Sequence, residues 1–318
     1  MPVLKDTYKI NNTFFRNSFI SSVYPNIFRK VKLKHPGEIR IHTSDGDFLD
    51  IDFYSNGGSF AAILLHGFEG NARRPYMKGM IAQLSKQNID CFAMNFRGCS
   101  GIPNTTDKAY NAVNSEDVNS VVNYVWGRNR YIGVVLVGFS LGGNVVLNYL
   151  GRKQPEFISG AIAISVPVYM PGSAKAIMSL KNRIYQRRFL KNLRSKMREK
   201  QEVYPGLLDY EKVISARNLA EVDEFYTAKI YGYRDADHYY SSASSLPFLE
   251  KIQTPTLLIN AENDSFLSPE CYPVEEAKSS EYLYFIKTKY GGHCGFWSPG
   301  DVYWHERRAM EFIGDILY

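Results

Sequence analysis

Three side chains in this sequence could together cleave an acyl bond, and each sits in the same kind of place. Ser140 lies within "VVLVGFSLGGNVVLNYLG" (134–151), between two glycines, after an aliphatic run and before a helical pattern. Asp264 lies in "INAENDSF" and His293 in "KYGGHCGF", each just past an apolar, strand-like run. A serine hydroxyl is a poor nucleophile until a base takes its proton, and that base works best when a carboxylate orients it and stabilises its cation. Serine, acid, histidine is one of the chain orders in which this arrangement occurs.

Gly138-Phe139-Ser140-Leu141-Gly142 between strand and helix matches a nucleophile elbow, a sharp turn that holds the serine hydroxyl clear of the sheet. Side chains at 138 or 142 would collide with the neighbouring strand or helix. The oxyanion of a tetrahedral intermediate needs two donors. The backbone N–H of Leu141, next after the serine, is one candidate, and the N–H of Phe68, in the loop "LLHGFEGN", is the other. Without the serine, His66-Gly67 reads equally well as an ordinary strand-to-helix turn. Among the remaining histidines, His35, His238 and His305 lack strand-end placement and His42 falls within a hairpin pattern. Glu262 is the rival acid, although it lies on the strand side of its turn.

The elements that must position these residues are legible as a pattern. "EIRIHTSDGDFLDIDFYS" alternates apolar and polar residues around Asp45-Gly46, as an antiparallel hairpin with one solvated face does. "FAAILLHGF", "DCFAMNFRG", "GVVLVGFS", "GAIAISVP", "TPTLLINAEND" and "EYLYFIKTK" are short apolar runs, expected where helices cover both faces of a parallel sheet. Helical patterns alternate with them, so the fold class is α/β with a mainly parallel sheet. The alternation breaks once. The expected organisation is a core over 1–169, with an N-terminal extension over 1–37, a helical cap inserted over 170–252, and the rest of the core over 253–318.

The chain has 318 residues, 45% hydrophobic content and a formal net charge of +6, enough apolar material for a substantial core. Cys91, Cys99, Cys271 and Cys294 are widely spaced, without metal-ligand spacing, and read as free thiols of a reducing compartment. Neither a secretory leader nor a membrane-spanning run is legible, so a cytoplasmic protein is expected, with peripheral membrane contact left open.

In order along the chain, "HGFEG", "NFRGCSGIPN", "GFSLGGN", "NAENDSF" and "GGHCGF" resemble the blocks of one branch of the α/β-hydrolases. That branch holds the YheT-like bacterial hydrolases, their eukaryotic abhydrolase-domain relatives, and the yeast medium-chain esterase/ethanol acyltransferases. "SSVYPNIFR" and "GDFLDIDF" are similar to its N-terminal segment. The resemblance implies an α/β-hydrolase fold, Ser140 as nucleophile, Asp264 as acid, His293 as base, and esterase, lipase or acyl-transfer chemistry on acyl esters. Two departures stand out. The acid loop reads Asn263-Asp264-Ser265-Phe266 where the branch has an Asp-Asp-Pro-Phe-like sequence, and "AYNAVNSED" lacks a histidine that the branch often carries. Arg97-Gly98-Cys99-Ser100-Gly101 reads as a tight turn beside the site. Cys99 and Cys294 are expected near the pocket but occupy no elbow.

Between Ser173 and Glu202 lie ten cationic residues, Lys175, Lys181, Arg183, Arg187, Arg188, Lys191, Arg194, Lys196, Arg198 and Lys200, against Glu199 and Glu202. Tyr185, Phe189, Leu193 and Met197 recur every fourth position among them, which predicts a basic amphipathic helix. Its leading reading is a cap helix with its apolar stripe on the core and its charges in solvent. Contact with anionic lipid or an acidic substrate group is the second, and nucleic acid is disfavoured. The expected function is hydrolysis of carboxylic esters, short- to medium-chain or lipid, through an acyl-enzyme and without cofactor or metal. The alternatives are acyl transfer to an alcohol and a catalytically silent fold that binds a lipid-like ligand. A serine at the elbow argues against epoxide hydrolase or dehalogenase chemistry.

Overall fold

An apolar run can be buried on both sides only if both faces of its strand are covered, and the central strands meet that condition. In β3 (Phe60–Leu65), Ile63 and Leu65 enter one core while Ala62 and Leu64 enter the other. In β5 (Gly133–Phe139), Val134 and Leu136 side with the first core and Val135 and Val137 with the second. The computed structural model describes residues 3–206 and 209–317; Met1 and Pro2 of the expected N-terminal extension, Leu207 and Leu208 of the expected insertion, and Tyr318 lie outside.

The other strands are β1 (Gly37–His42), β2 (Phe48–Tyr54), β4 (Asp90–Met94), β6 (Ile158–Ile164), β7 (Thr256–Ala261) and β8 (Leu283–Thr288). They form an eight-stranded sheet in the order β1-β2-β4-β3-β5-β6-β7-β8. β1 and β2 pair antiparallel, with Ile39 opposite Ile51, and β2 also runs antiparallel to β4. From β4 to β8 every pairing is parallel. Strand order reverses between β3 and β5, which leaves a crevice at their carboxyl ends, where open sheets of this kind take their ligands.

Helices α1 (Ser18–Phe28), α2 (Pro75–Lys86), α3 (Ser115–Trp126) and α4 (Leu141–Arg152) precede β6. Between β6 and β7 come α5 (Met170–Met178), α6 (Arg183–Val203), α7 (Tyr210–Ser215), α8 (Leu219–Val222), a π-helical turn over Asp223–Thr227, α9 (Ala228–Ile230) and α10 (Ala236–Ala243). This stretch has a small core of its own, including Leu190, Met197, Tyr210, Val213 and Tyr226. The chain ends with α11 (Val274–Ser279) and α12 (Trp304–Leu317). Among the described residues no helix is long and apolar enough to cross a membrane.

Arg97 ties the hairpin to the helical layer. It donates to Asp117 of α3 at 2.8 and 2.5 Å and to Asp45 and Asp47 of the β1–β2 turn at 2.8 and 3.2 Å. The turn expected at 97–101 is present, with Gly98 at φ +67° and the Cys99 N–H on Phe96 O. Arg97, however, faces the carboxylates of the fold. Breaking a buried ion pair by removing one partner costs about 3–5 kcal/mol, because the other charges stay buried and unpaired. Arg97→Ala is therefore expected to lose about that much stability in urea denaturation; a loss within the range of a surface substitution, about 0.5 kcal/mol, would refute the assignment.

Candidate active site

Ser140 joins the end of β5 to the first residue of α4 with φ +53° and ψ −120°, a backbone conformation that residues with a side chain seldom adopt. Such strain costs on the order of 1–3 kcal/mol and persists only where the surroundings enforce it. Here they do. The Ser140 N–H donates to Ile164 O of β6 at 2.8 Å, and the Ser140 carbonyl accepts from Asn144 at 3.1 Å. A Cβ at Gly142 would lie 2.5 Å from Leu65 O, and one at Gly138 would lie 2.4 Å from Gly142 O. The two glycines let strand and helix approach closely enough to hold the turn.

The structure brings the three sequence-predicted side chains together. His293 Nε2 lies 2.8 Å from Ser140 Oγ, and His293 Nδ1 lies 2.7 Å from Asp264 Oδ2. Asp264 is buried, and its second oxygen accepts the Phe266 N–H at 2.9 Å. A carboxylate can only accept, so Nδ1 carries the ring proton and Nε2 is left to accept from the serine hydroxyl. The Phe266 ring packs on the imidazole at 4.4 Å between centroids. Glu262 is elsewhere, paired with Lys287 at 2.8 Å on the surface.

Phe68 follows β3, and its loop lies against the elbow: a Cβ at Gly67 would sit 3.1 Å from Ser140 Cβ. The Gly67 N–H donates to Tyr76 OH at 3.0 Å, the Glu69 N–H to Tyr110 OH at 3.0 Å, and the Gly70 N–H to Gly67 O at 2.9 Å. Among the described residues no protein acceptor takes the N–H of Phe68 or that of Leu141. His66 is a scaffold beneath this loop. It accepts the Phe96 N–H on Nε2 at 3.1 Å and donates from Nδ1 to Gly67 O at 2.8 Å. Burial pushes its pKa down to about 3, so the ring is neutral.

Ser140 borders two cavities. The larger, about 500 Å³, runs under α5 and α6 past Leu141, Met170, Leu193 and Met197. The smaller, about 110 Å³, also reaches His293, Phe266, Tyr185 and Arg188. Cys99 lines the larger and Cys294 the smaller. Burial pushes the Cys99 thiol up to about 11 and raises that of Cys294 as well, so both are poor nucleophiles. Among the described residues no cluster of three or more His, Cys, Asp or Glu could hold a metal.

One feature departs from expectation. On α6 the apolar stripe packs inward, but Lys196 and Lys200 turn inward with it. Lys196 Nζ is 2.8 Å from Glu69 Oε1, and Lys200 Nζ bonds Thr106 O at 2.7 Å and Asn104 Oδ1 at 3.1 Å. Burial lowers the Lys200 pKa to about 8. The acid loop, which lacks the proline, is held by reciprocal bonds instead: Asn182 donates to Ser265 O at 2.7 Å, and Ser265 donates to Asn182 Oδ1 at 2.7 Å.

Sequence reasoning missed what supports the histidine. Ser22 Oγ of α1 accepts the His293 N–H at 2.7 Å, Ser21 Oγ donates to Gly291 O at 2.9 Å, and Asn263 Oδ1 accepts the Gly292 N–H at 2.9 Å. The serines lie some 270 positions from the loop they hold, so no local pattern could have joined them.

A family model for the alpha/beta hydrolase fold matches residues 63–299. YheT of Escherichia coli (strain K12) is 30% identical over 89% of this chain and 85% of that protein. Phospholipase ABHD3 of Mus musculus is 28% identical over 93% of this chain and 74% of that protein. The solved Pyrococcus furiosus esterase Pf2001 superposes with a TM-score of 0.61 at 17% identity, covering 89% of this chain and 92% of that one.

Leaving a buried donor without its acceptor costs about 1–3 kcal/mol. Ser22→Ala strips the acceptor from the His293 N–H and is expected to lower stability by about that amount in chemical denaturation. An unchanged midpoint would show that the bond from the His293 N–H to Ser22 contributes nothing to stability.

Proposed function

The chain belongs to the alpha/beta hydrolase fold family and is a carboxylic ester hydrolase, and we propose that it works through Ser140, His293 and Asp264 by way of an acyl-enzyme. The observation that carries this reading is the continuous relay from buried Asp264 through His293 to Ser140, at 2.7 and 2.8 Å, which ends on the one member of the three that lines both cavities, Ser140. Ser140 Oγ attacks the acyl carbon as His293 Nε2 takes its proton. The N–H groups of Phe68 and Leu141 receive the oxyanion, and Asp264 stabilises the imidazolium. His293 returns the proton to the leaving alcohol, and water, activated by the same imidazole, releases the acid. None of these steps calls for a cofactor. The helices over 170–252 serve as the cap, and the substrates are acyl esters, short- to medium-chain or lipid, the phospholipase name of one relative supporting a lipid.

The test is a fluorophosphonate probe with p-nitrophenyl esters of graded chain length. Wild type is expected to label and turn over, and Ser140→Ala to do neither, with kcat lower by about 10⁶. A folded wild type that neither labels nor cleaves any ester would overturn the reading.

The outer face of α6 supports contact with anionic lipid. Lys181 in the turn before it and Arg183, Arg187, Lys191 and Arg198 are exposed there and join no ion pair among the described residues, while Leu180 and Ile184 are 88% and 65% exposed. Cations attract the anionic surface, and apolar side chains can enter its boundary. Sedimentation with phosphatidylglycerol-containing vesicles at low salt is expected, with loss in Lys181→Glu/Arg187→Glu/Lys191→Glu. No sedimentation of the wild type at low salt would exclude the contact.

A further inference from the structure

Glu69 is held in a way that an ordinary loop residue is not. Its φ is +53°, the left-handed region that favours glycine, yet it carries a full side chain that is 2% exposed. Such a conformation must be enforced from outside. Tyr110 OH accepts the Glu69 N–H at 3.0 Å and donates to Oε1 at 2.8 Å, and Arg74 donates to the Glu69 carbonyl at 3.1 Å. The remaining contact is the charged one. Lys196 Nζ reaches Oε1 at 2.8 Å from α6, 127 positions along the chain.

The same helix holds the preceding residue. Phe189 meets the Phe68 ring edge-on at 5.1 Å between centroids, and Phe189 and Lys196, two turns apart, share one helical face. One face of α6 therefore holds the side chains of two consecutive residues of the loop, Phe68 and Glu69, directly after the Phe68 N–H, which no protein acceptor takes among the described residues. Cys99 Sγ lies 3.3 Å from Nζ, but with its pKa pushed up to about 11 by burial it is a neutral thiol, which leaves Glu69 as the anion facing the ammonium.

We propose that Lys196 is a positioning residue for ester cleavage: from α6, through Glu69, it fixes the loop that aims the Phe68 N–H at the oxyanion. The proposal rests on the Ser140 reading above. Lys196 makes no hydrogen bond to Ser140 or His293, so its effect reaches the reaction through the loop. Oxyanion donors act in proportion to their placement. Losing one costs about 10²–10³ in kcat, and a shift of about 1 Å in a catalytic contact can cost about 10².

The test compares wild type, Lys196→Met, Lys196→Arg and Glu69→Gln on p-nitrophenyl acetate, with an aryl trifluoromethyl ketone as inhibitor. The ketone adds the serine to form a tetrahedral oxyanion, so its Ki reports the hole directly, whereas KM for a small ester does not. Lys196→Met is expected to lower kcat by about 10- to 100-fold with KM unchanged, and to weaken the ketone by the same factor. Lys196→Arg, which keeps the charge, recovers most of both. Glu69→Gln reads the same link from the loop side should Lys196→Met fail to fold. A folded Lys196→Met or Glu69→Gln with wild-type kcat and Ki, whatever its melting temperature, would make the pair a structural tie only and overturn the proposal. A wild type that the fluorophosphonate does not label defeats the ester-hydrolase mechanism itself, which is a different result.

Discussion

The molecule is organised around one strained residue. Ser140 can hold φ +53° only because β5 ends and α4 begins within a single residue, with Gly138 and Gly142 allowing the backbones to pass at distances no Cβ would permit. The Ile164 carbonyl holds the Ser140 N–H from the next strand, and Gly67 brings the loop after β3 against the serine from the other side. Parallel strands put all these ends at one edge of the sheet. Burial of the two faces of β3, β5 and β6 supplies the stability that sustains the strain locally, since apolar contacts there number many and each strained torsion is one.

Three cations buried wholly or in part in the structure face carboxylates. Arg97 faces Asp45, Asp47 and Asp117, Arg29 faces Glu306, and Lys196 faces Glu69. His66, equally buried but with two neutral backbone partners, is kept uncharged. The difference follows from desolvation: an ion in a poorly polarisable interior needs a counter-ion, while a neutral imidazole needs only one donor and one acceptor. Asp264 receives a backbone N–H and the imidazole, which gives both of its oxygens a donor.

What the sequence made legible is what is encoded over a few consecutive residues. The elbow, the apolar runs and the hairpin turn at Asp45-Gly46 are local, and the strand-end placement of Asp264 and His293 follows once the runs are read as parallel strands. Ser21 and Ser22 are the opposite case: nothing in "SSVYPNIFR" indicates that its hydroxyls meet a loop near the other end of the chain. Tyr110 is similar, because its value lies in reaching Glu69, and only the folded chain brings the two together. On α6 the four-residue recurrence of Tyr185, Phe189, Leu193 and Met197 correctly marks the inward face. Charge alone then assigns Lys196 and Lys200 to solvent, and tertiary partners overrule it: a carboxylate waits for one ammonium and two backbone carbonyls for the other.

The inward face of α6 touches both loops that flank the serine. Asn182, just before the helix, exchanges hydrogen bonds with Ser265, and Tyr185 packs edge-on against Phe266, whose ring lies on His293. One and three turns beyond Tyr185, Phe189 and Lys196 hold Phe68 and Glu69. A rigid helix spanning the acid loop and the loop after β3 makes their separation a property of one element rather than of two independent turns. The missing proline of the acid loop is intelligible in this setting, because bonds to Asn182 restrain the backbone that a pyrrolidine ring would otherwise restrain. The opposite face of the same helix carries the exposed cations. One helix therefore carries exposed cations on one side and the contacts to both loops around Ser140 on the other.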